Sequence, residues 1–311
     1  MRTVRAARSF QLEDIIMPVK VTKLGFLALN AVKHDEMKHH FHHVLGLPVA
    51  HETGNGETYF ACGSDHHALS LHRADRPGFR HVGLQIAGDG PLADAAAAMR
   101  AAGIEAQIKS DPVPGIKSCV EIADPDGSTV YLYREAAKSS AAAERRGIGP
   151  RKLGHLAMRT GNPQRCERFY IDQLGFKLSD WLGDFFVFLR CNVDHHTMNF
   201  ITAKQRGMFH VAWELDDSAH LTRACDVLGL NKIKLAWGIG RHGPGHNLYA
   251  YHYDPDGNVI ETFAELDRIS NEEQGYFDPR PYHRDNPQRP KVWTTLPADL
   301  WGPPRPADFE Q

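Results

Sequence analysis

A chain of 311 residues that is 42% hydrophobic and 24% charged has the make-up of a globular protein long enough for two domains. A formal net charge of −2 excludes the electrostatic footprint of a nucleic-acid binder, and no apolar run is long enough to span a bilayer as a helix. Cysteines 62, 119, 166, 191 and 225 have no C-x-x-C spacing, which predicts reduced thiols in a cytoplasmic protein rather than a disulfide framework or zinc cage.

In chain order, residues 1–19 read as an N-terminal extension, because their arginines are followed by no apolar stretch and no signal-peptide cleavage site. A domain is expected over 20–137. It opens with a strand at KLGFLAL (23–29), then a helical stretch from Asp35 to Leu45 and short strands ending near His72. A strand from His81 to Ile86, an Ala-rich helix from Leu92 to Ala102 and further strands to Tyr133 follow, with Gly/Asp/Pro turns between. Residues 138–149 are Ala-, Ser- and charge-rich and read as a linker. A second domain is expected over 150–266, and a tail over 267–311 that holds eight of the 19 prolines. Such a tail is expected to run extended over the surface or across a cleft.

The two domains are copies. KLGFLAL at 23 returns as KLGHLAM at 152, a shift of 129 residues. The same shift relates LG at 45 to LG at 174, DHH at 65 to DHH at 194, and FRHVGL at 79 to MFHVAW at 208. DPDG at 124 returns at 254, one residue further on. Each copy divides again, so the chain is an α+β protein of four β-α-β-β-β modules. DPDG is read as a tight turn in both copies.

Where the copies differ, chemistry is expected. His155, His210 and Glu261 occupy strand positions that hold Phe26, His81 and Tyr131 in the first copy. Two imidazoles and one carboxylate are the ligand set of the facial triad of non-heme Fe(II) enzymes, which leaves metal positions open for substrate and O2. A carboxylate in a strand with apolar neighbours, as in VIETF, needs such a partner.

Four modules paired in two tandem domains resemble the vicinal oxygen chelate (glyoxalase-like) superfamily, whose modules pair into half-open barrels around a metal. The resemblance covers about 20–266. The three ligands are similar to those of its extradiol ring-cleaving dioxygenases of the catechol 2,3-type. Glyoxalase-type members use a fourth ligand, a Glu of the preceding module, and no Glu lies between Glu167 and Glu214. The resemblance implies an enzyme that holds Fe(II), or Mn(II) in its place, and opens a small aromatic diol with O2 to a muconic semialdehyde-type product. It implies that His196, followed by Thr197, is an acid/base beside the O2 position, with His195 turned to the opposite face of the strand. His242 and Tyr251 are implied to hydrogen-bond the bound diol, with His246 at the pocket rim. Where some relatives carry Asn or Asp two and three residues after the His at position 242, the chain has Pro244 and Gly245, which puts those substrate contacts in doubt. Trp181, Phe185 and Trp237 are candidates to line the pocket, with core packing the favoured role for each. The resemblance further implies a homo-oligomer, with no nucleic-acid or membrane partner. The alternatives are a hydroquinone-type ring-cleaving enzyme on the same triad and a non-catalytic small-molecule binding module.

Overall fold

The computed structural model describes residues 19–141, 146–273, 276–277, 289–294 and 299–309. The extension expected over 1–19 therefore lies, up to residue 18, outside the described residues. So does part of the expected linker, residues 142–145.

Each of the four modules runs strand, helix, three strands. The first is β1 (Val21–Ala31), α1 (His34–His39), β2 (Val49–Glu52), β3 (Thr58–Phe60) and β4 (Leu69–Arg73). The second is β5 (Gly78–Ile86), α2 (Leu92–Ala101), β6 (Ala106–Val113), β7 (Ile116–Ala123) and β8 (Thr129–Tyr133). In the second copy come β9 (Lys152–Thr160), α3 (Pro163–Leu174), β10 (Lys177–Leu182), β11 (Phe186–Arg190) and β12 (Met198–Thr202), then β13 (Gly207–Glu214), α4 (Ser218–Leu230), β14 (Trp237–Arg241), β15 (Leu248–Tyr253) and β16 (Val259–Ala264). The helical stretch expected from Asp35 to Leu45 is α1 continued by a π-helical turn, His40–Val44, in which Leu45 N–H reaches back to His40 O at 2.9 Å.

The strands form two half-barrels, ordered β2-β3-β4-β1-β5-β8-β7-β6 and β14-β15-β16-β13-β9-β12-β11-β10. In each, the first strands of the two modules pair antiparallel at the centre. Three short strands follow: β17 (Ile269–Asn271), β18 (Tyr276–Phe277) and β19 (Lys291–Trp293). The last adds to the second sheet beside β10, in parallel. No described helix is long and apolar enough to cross a membrane, and all five cysteines are unpaired.

The repeated motifs have structural work in both copies. The LG dipeptide ends a helix, with Gly46 at φ +86 and Gly175 at φ +69, left-handed conformations that glycine adopts without a Cβ penalty. The lysine of each KLG pairs with the aspartate of each DHH, Lys23 with Asp65 at 2.5 Å and Lys152 with Asp194 at 2.6 Å. Each DPDG turn is closed by its first aspartate, and its second docks on the other copy. Asp126 accepts from Arg165 at 2.7 Å, while Asp256 accepts from the backbone N–H of Val32 at 2.8 Å and of Lys33 at 3.0 Å.

The glycine of KLG admits a ring. A Cβ at Gly154 would lie 2.3 Å from the Phe263 ring, and Phe263 packs 5.0 Å from the His155 ring. Gly154→Ala is therefore expected to overpack this layer, destabilise the protein by about 1–3 kcal/mol and push Phe263 toward His155. Urea unfolding midpoints of the metal-free proteins check the first effect, and metal affinity checks the second.

Candidate metal centre and active site

Three adjacent strands bring the expected ligands together. Ala212 on β13 lies opposite His155 on β9 and opposite Glu261 on β16. Side chains in register across a sheet share a face, and so do residues two apart along one strand. His210 thus joins His155 and Glu261 on the concave side, and the small Ala212 leaves room between them.

All three residues are buried. Nε2 of His155 lies 3.0 Å from Glu261 Oε2, Nε2 of His210 lies 3.1 Å from the same oxygen, and the two nitrogens are 3.1 Å apart. For bonds of about 2.1 Å, neighbouring ligands are about 3.0 Å apart in an octahedron and about 3.4 Å apart in a tetrahedron. The triangle fits one face of an octahedron. Both Nδ1 atoms are buried without a hydrogen-bond partner, so the lone pairs that converge are those of Nε2. Burial would raise the Glu261 carboxyl, but His155 and His210 outweigh it and hold the group well below the usual carboxylate range. Among the described residues this is the only cluster of three or more His, Cys, Asp or Glu side chains close enough to share a cation, and no fourth such side chain joins it.

Asn247 donates to the other oxygen, Glu261 Oε1, at 3.0 Å. Groups that orient a metal ligand in this way are worth about 10–100-fold in affinity. Asn247→Leu is expected to weaken metal binding by at least about 10-fold on that scale, which titration of the metal-free protein would read.

Beside the triad is a cavity of 240 Å³, walled mainly by Phe185, Phe186, Phe188, Phe209 and Trp237. Phe185 and Trp237 thus face the cavity, and Trp237 also packs against the buried cluster of Tyr249, Tyr251 and Phe309. Trp181 is not among the lining residues; its indole donates to Glu167 at 3.1 Å. His196 lines one side, its ring 4.4 Å from that of His155. Burial, then the neighbouring His155 and His195, hold its pKa well below 6.5, so it stands as a neutral imidazole. His195 does not turn away as expected. The pair lies in the bend before β12, where strand alternation does not operate, and His195 Nδ1 is 3.0 Å from His196 Nδ1. Its Nε2 is 3.2 Å from Asp180 Oδ2, a buried carboxylate that also accepts from the Trp293 indole at 2.8 Å.

His242 and Tyr251 line the opposite side. Tyr251 faces Glu261 across the β15–β16 ladder, and its hydroxyl is 2.9 Å from His242 Nε2. Burial, then the Glu261 charge, push the Tyr251 phenol well above 10, so it keeps its proton. His246 is not where the sequence reading put it. A left-handed backbone at φ +51 turns it away from the cavity onto Asp267, at 2.5 Å, and it is not among the lining residues. Sequence reasoning missed Asn199, Asn247, Asp180 and two tail residues that line the cavity, Asp299 and Arg305.

In the first copy the equivalent row is Phe26, Gly83 and Tyr131, with His81 two residues before Gly83. The Phe26 ring lies over Gly83, where a Cβ would meet it at 2.2 Å, and it packs with Tyr59 and Tyr133. Aromatic side chains fill the space that the ligands face in the second copy.

Residues 152–262 match the model of the Glyoxalase/Bleomycin resistance protein/Dioxygenase superfamily. The chain is 31% identical over 185 residues to metapyrocatechase 2 of Cupriavidus necator, covering 53% of this chain and 58% of that protein's length. It is 24% identical to the manganese-dependent 2,3-dihydroxybiphenyl 1,2-dioxygenase of Geobacillus genomosp. 3 over 272 residues, 80% of this chain and 86% of the relative. The crystal structure of the Mn(II)-bound glyoxalase from Novosphingobium aromaticivorans superimposes with a TM-score of 0.78 at 28% identity, covering 93% of each chain.

Proposed function

We propose, for a chain whose residues 152–262 belong to the glyoxalase/bleomycin resistance protein/dioxygenase superfamily, that it is an extradiol dioxygenase opening a catechol-type ring. The reading takes Fe(II) as the metal, held by His155, His210 and Glu261, with Mn(II) as its alternative. What supports it most is the three-ligand face set against an aromatic cavity with His196 on one side and His242–Tyr251 on the other. The named dioxygenase relatives support the same class, and one of them is manganese-dependent.

When bound, the metal would order diol and O2 side by side on the positions the triad leaves free and carry electrons between them. The protein supplies the rest. Phe186, Phe188, Phe209 and Trp237 would sandwich the ring and keep water out. The 240 Å³ cavity exceeds the ~150 Å³ that accepts benzene, which suits a single substituted ring with O2. Tyr251, hydrogen-bonded to His242, would accept the hydrogen bond of a substrate hydroxyl and pass a proton toward His242. His196 would take up a proton beside the oxygen and return it as the ring opens, a role suited to imidazole.

The test is oxygen uptake by anaerobically Fe(II)- or Mn(II)-loaded protein with catechol, methylcatechols, 2,3-dihydroxybiphenyl and hydroquinones. Rapid uptake with a yellow, pH-sensitive product from the catechols is expected. Uptake with hydroquinones alone would move the reading to para-diols on the same triad. The glyoxalase likeness motivates a second substrate panel of methylglyoxal with glutathione. Turnover there, with none on diols, would overturn the dioxygenase reading; the lack of a fourth ligand among the described residues predicts no such turnover.

A further inference from the structure

Asp299 reaches the site from the tail, 57 residues beyond the histidine it binds. Its Oδ1 lies 2.6 Å from His242 Nδ1, and its Oδ2 accepts the Tyr249 hydroxyl at 3.1 Å. The His242 and Tyr249 rings are stacked, with centroids 3.8 Å apart. One carboxylate therefore clamps a pair of parallel rings. The residues that follow it are pinned. Leu300 N–H donates to Arg241 O and Arg241 N–H donates to Trp301 O, both at 2.8 Å. Gly302 lies so close to Gly240 that a Cβ on it would be 2.6 Å from the Gly240 Cα.

The geometry points to Asp299 as a positioning residue for the diol-binding pair His242–Tyr251. An ionised carboxylate only accepts, so Nδ1 of His242 carries the proton and donates it in the hydrogen bond to Asp299, which fixes the His242 tautomer. Nε2 then keeps a lone pair 2.9 Å from the Tyr251 hydroxyl, which also bonds Glu261, and the hydroxyl oxygen has lone pairs free for a substrate hydroxyl. A proton leaving the substrate for Tyr251 would release the Tyr251 proton to His242, and Asp299 would stabilise the imidazolium. No electrons move in this step. The logic is that of an aspartate holding a catalytic histidine in one tautomer, with the carboxylate supplied here by the tail. The inference rests on the dioxygenase reading above.

Two experiments test it. With Fe(II)-loaded protein, Asp299→Asn is expected to lower kcat on catechol by at least about 10-fold at unchanged metal content. It should also shift the spectrum of anaerobically bound 4-nitrocatechol toward the protonated form. Wild-type kcat and an unchanged bound spectrum in this variant would overturn the proposal. Independently of how that variant folds, long-range ¹H–¹⁵N spectra of the wild-type protein read the tautomer of His242, its signals identified by their loss in His242→Gln. A proton on Nδ1 supports the proposal, and one on Nε2 overturns it. If the wild type cleaves no diol, the functional reading fails, and the spectra still decide whether Asp299 fixes the tautomer.

Discussion

Glu261→Ala is expected to leave a folded protein that no longer holds a divalent metal stoichiometrically and takes up no oxygen with any diol. The carboxylate is the only anion among the three converging groups. Without it, His155 and His210 present two neutral nitrogens 3.1 Å apart and nothing to neutralise the cation. Mutating groups that merely hydrogen-bond a metal ligand costs about 10–100-fold in affinity, so loss of the ligand itself is expected to cost more than about 100-fold. Asn247 loses its acceptor in the same variant, and its amide brings no charge to replace that of the carboxylate. Calorimetric titration with metal, beside circular dichroism to confirm the fold, checks the outcome. Stoichiometric binding at wild-type affinity would show that the triangle of side chains is not the metal site.

The second large effect is expected at His196. His196→Gln should keep metal content and KM near wild type while kcat falls by about 10²–10⁴-fold, the range for losing a positioned proton carrier. The side chain lines the cavity without belonging to the ligand triangle, and glutamine keeps its polarity without a titratable nitrogen. Asp180→Asn should act in the same direction and less strongly, since Asp180 reaches His196 only through His195. Steady-state kinetics with catechol, together with metal analysis, separate this from a binding defect. A fall in metal content that accounts for the lost activity would contradict the proton-transfer role.

The ligand set was legible because the chain repeats itself. A shift of 129 residues, one more from DPDG onward, aligned the two copies, and strand pairing then put equivalent positions on one face. The comparison of copies also identified what the DHH motif could not reveal alone. Its aspartate pairs with the KLG lysine in both halves, so the motif is structural in each, and only in the second does its last histidine stand beside a ligand. His195 was misread because period-two reasoning was carried into a bend that precedes Met198, where β12 begins. His246 was misread because a non-glycine residue at positive φ redirects its side chain, which residue type does not announce. Phe185 and Trp237 carry the same apolar signature whether they fill a core or wall a cavity. Asp299 was out of reach for a different reason. The tail has no periodicity and no counterpart in the repeat, so its contact with His242 depends on where the whole second sheet places β14.

The most direct measurement of the central claim is mass spectrometry of the product formed under ¹⁸O2 by the Fe(II)-loaded protein acting on catechol. A ring-opened product carrying both atoms of one O2 is expected, with one O2 consumed per diol. A protein holding one metal per chain that consumes no O2 with any diol, or that returns a ring-intact quinone with no ¹⁸O incorporated, would contradict it.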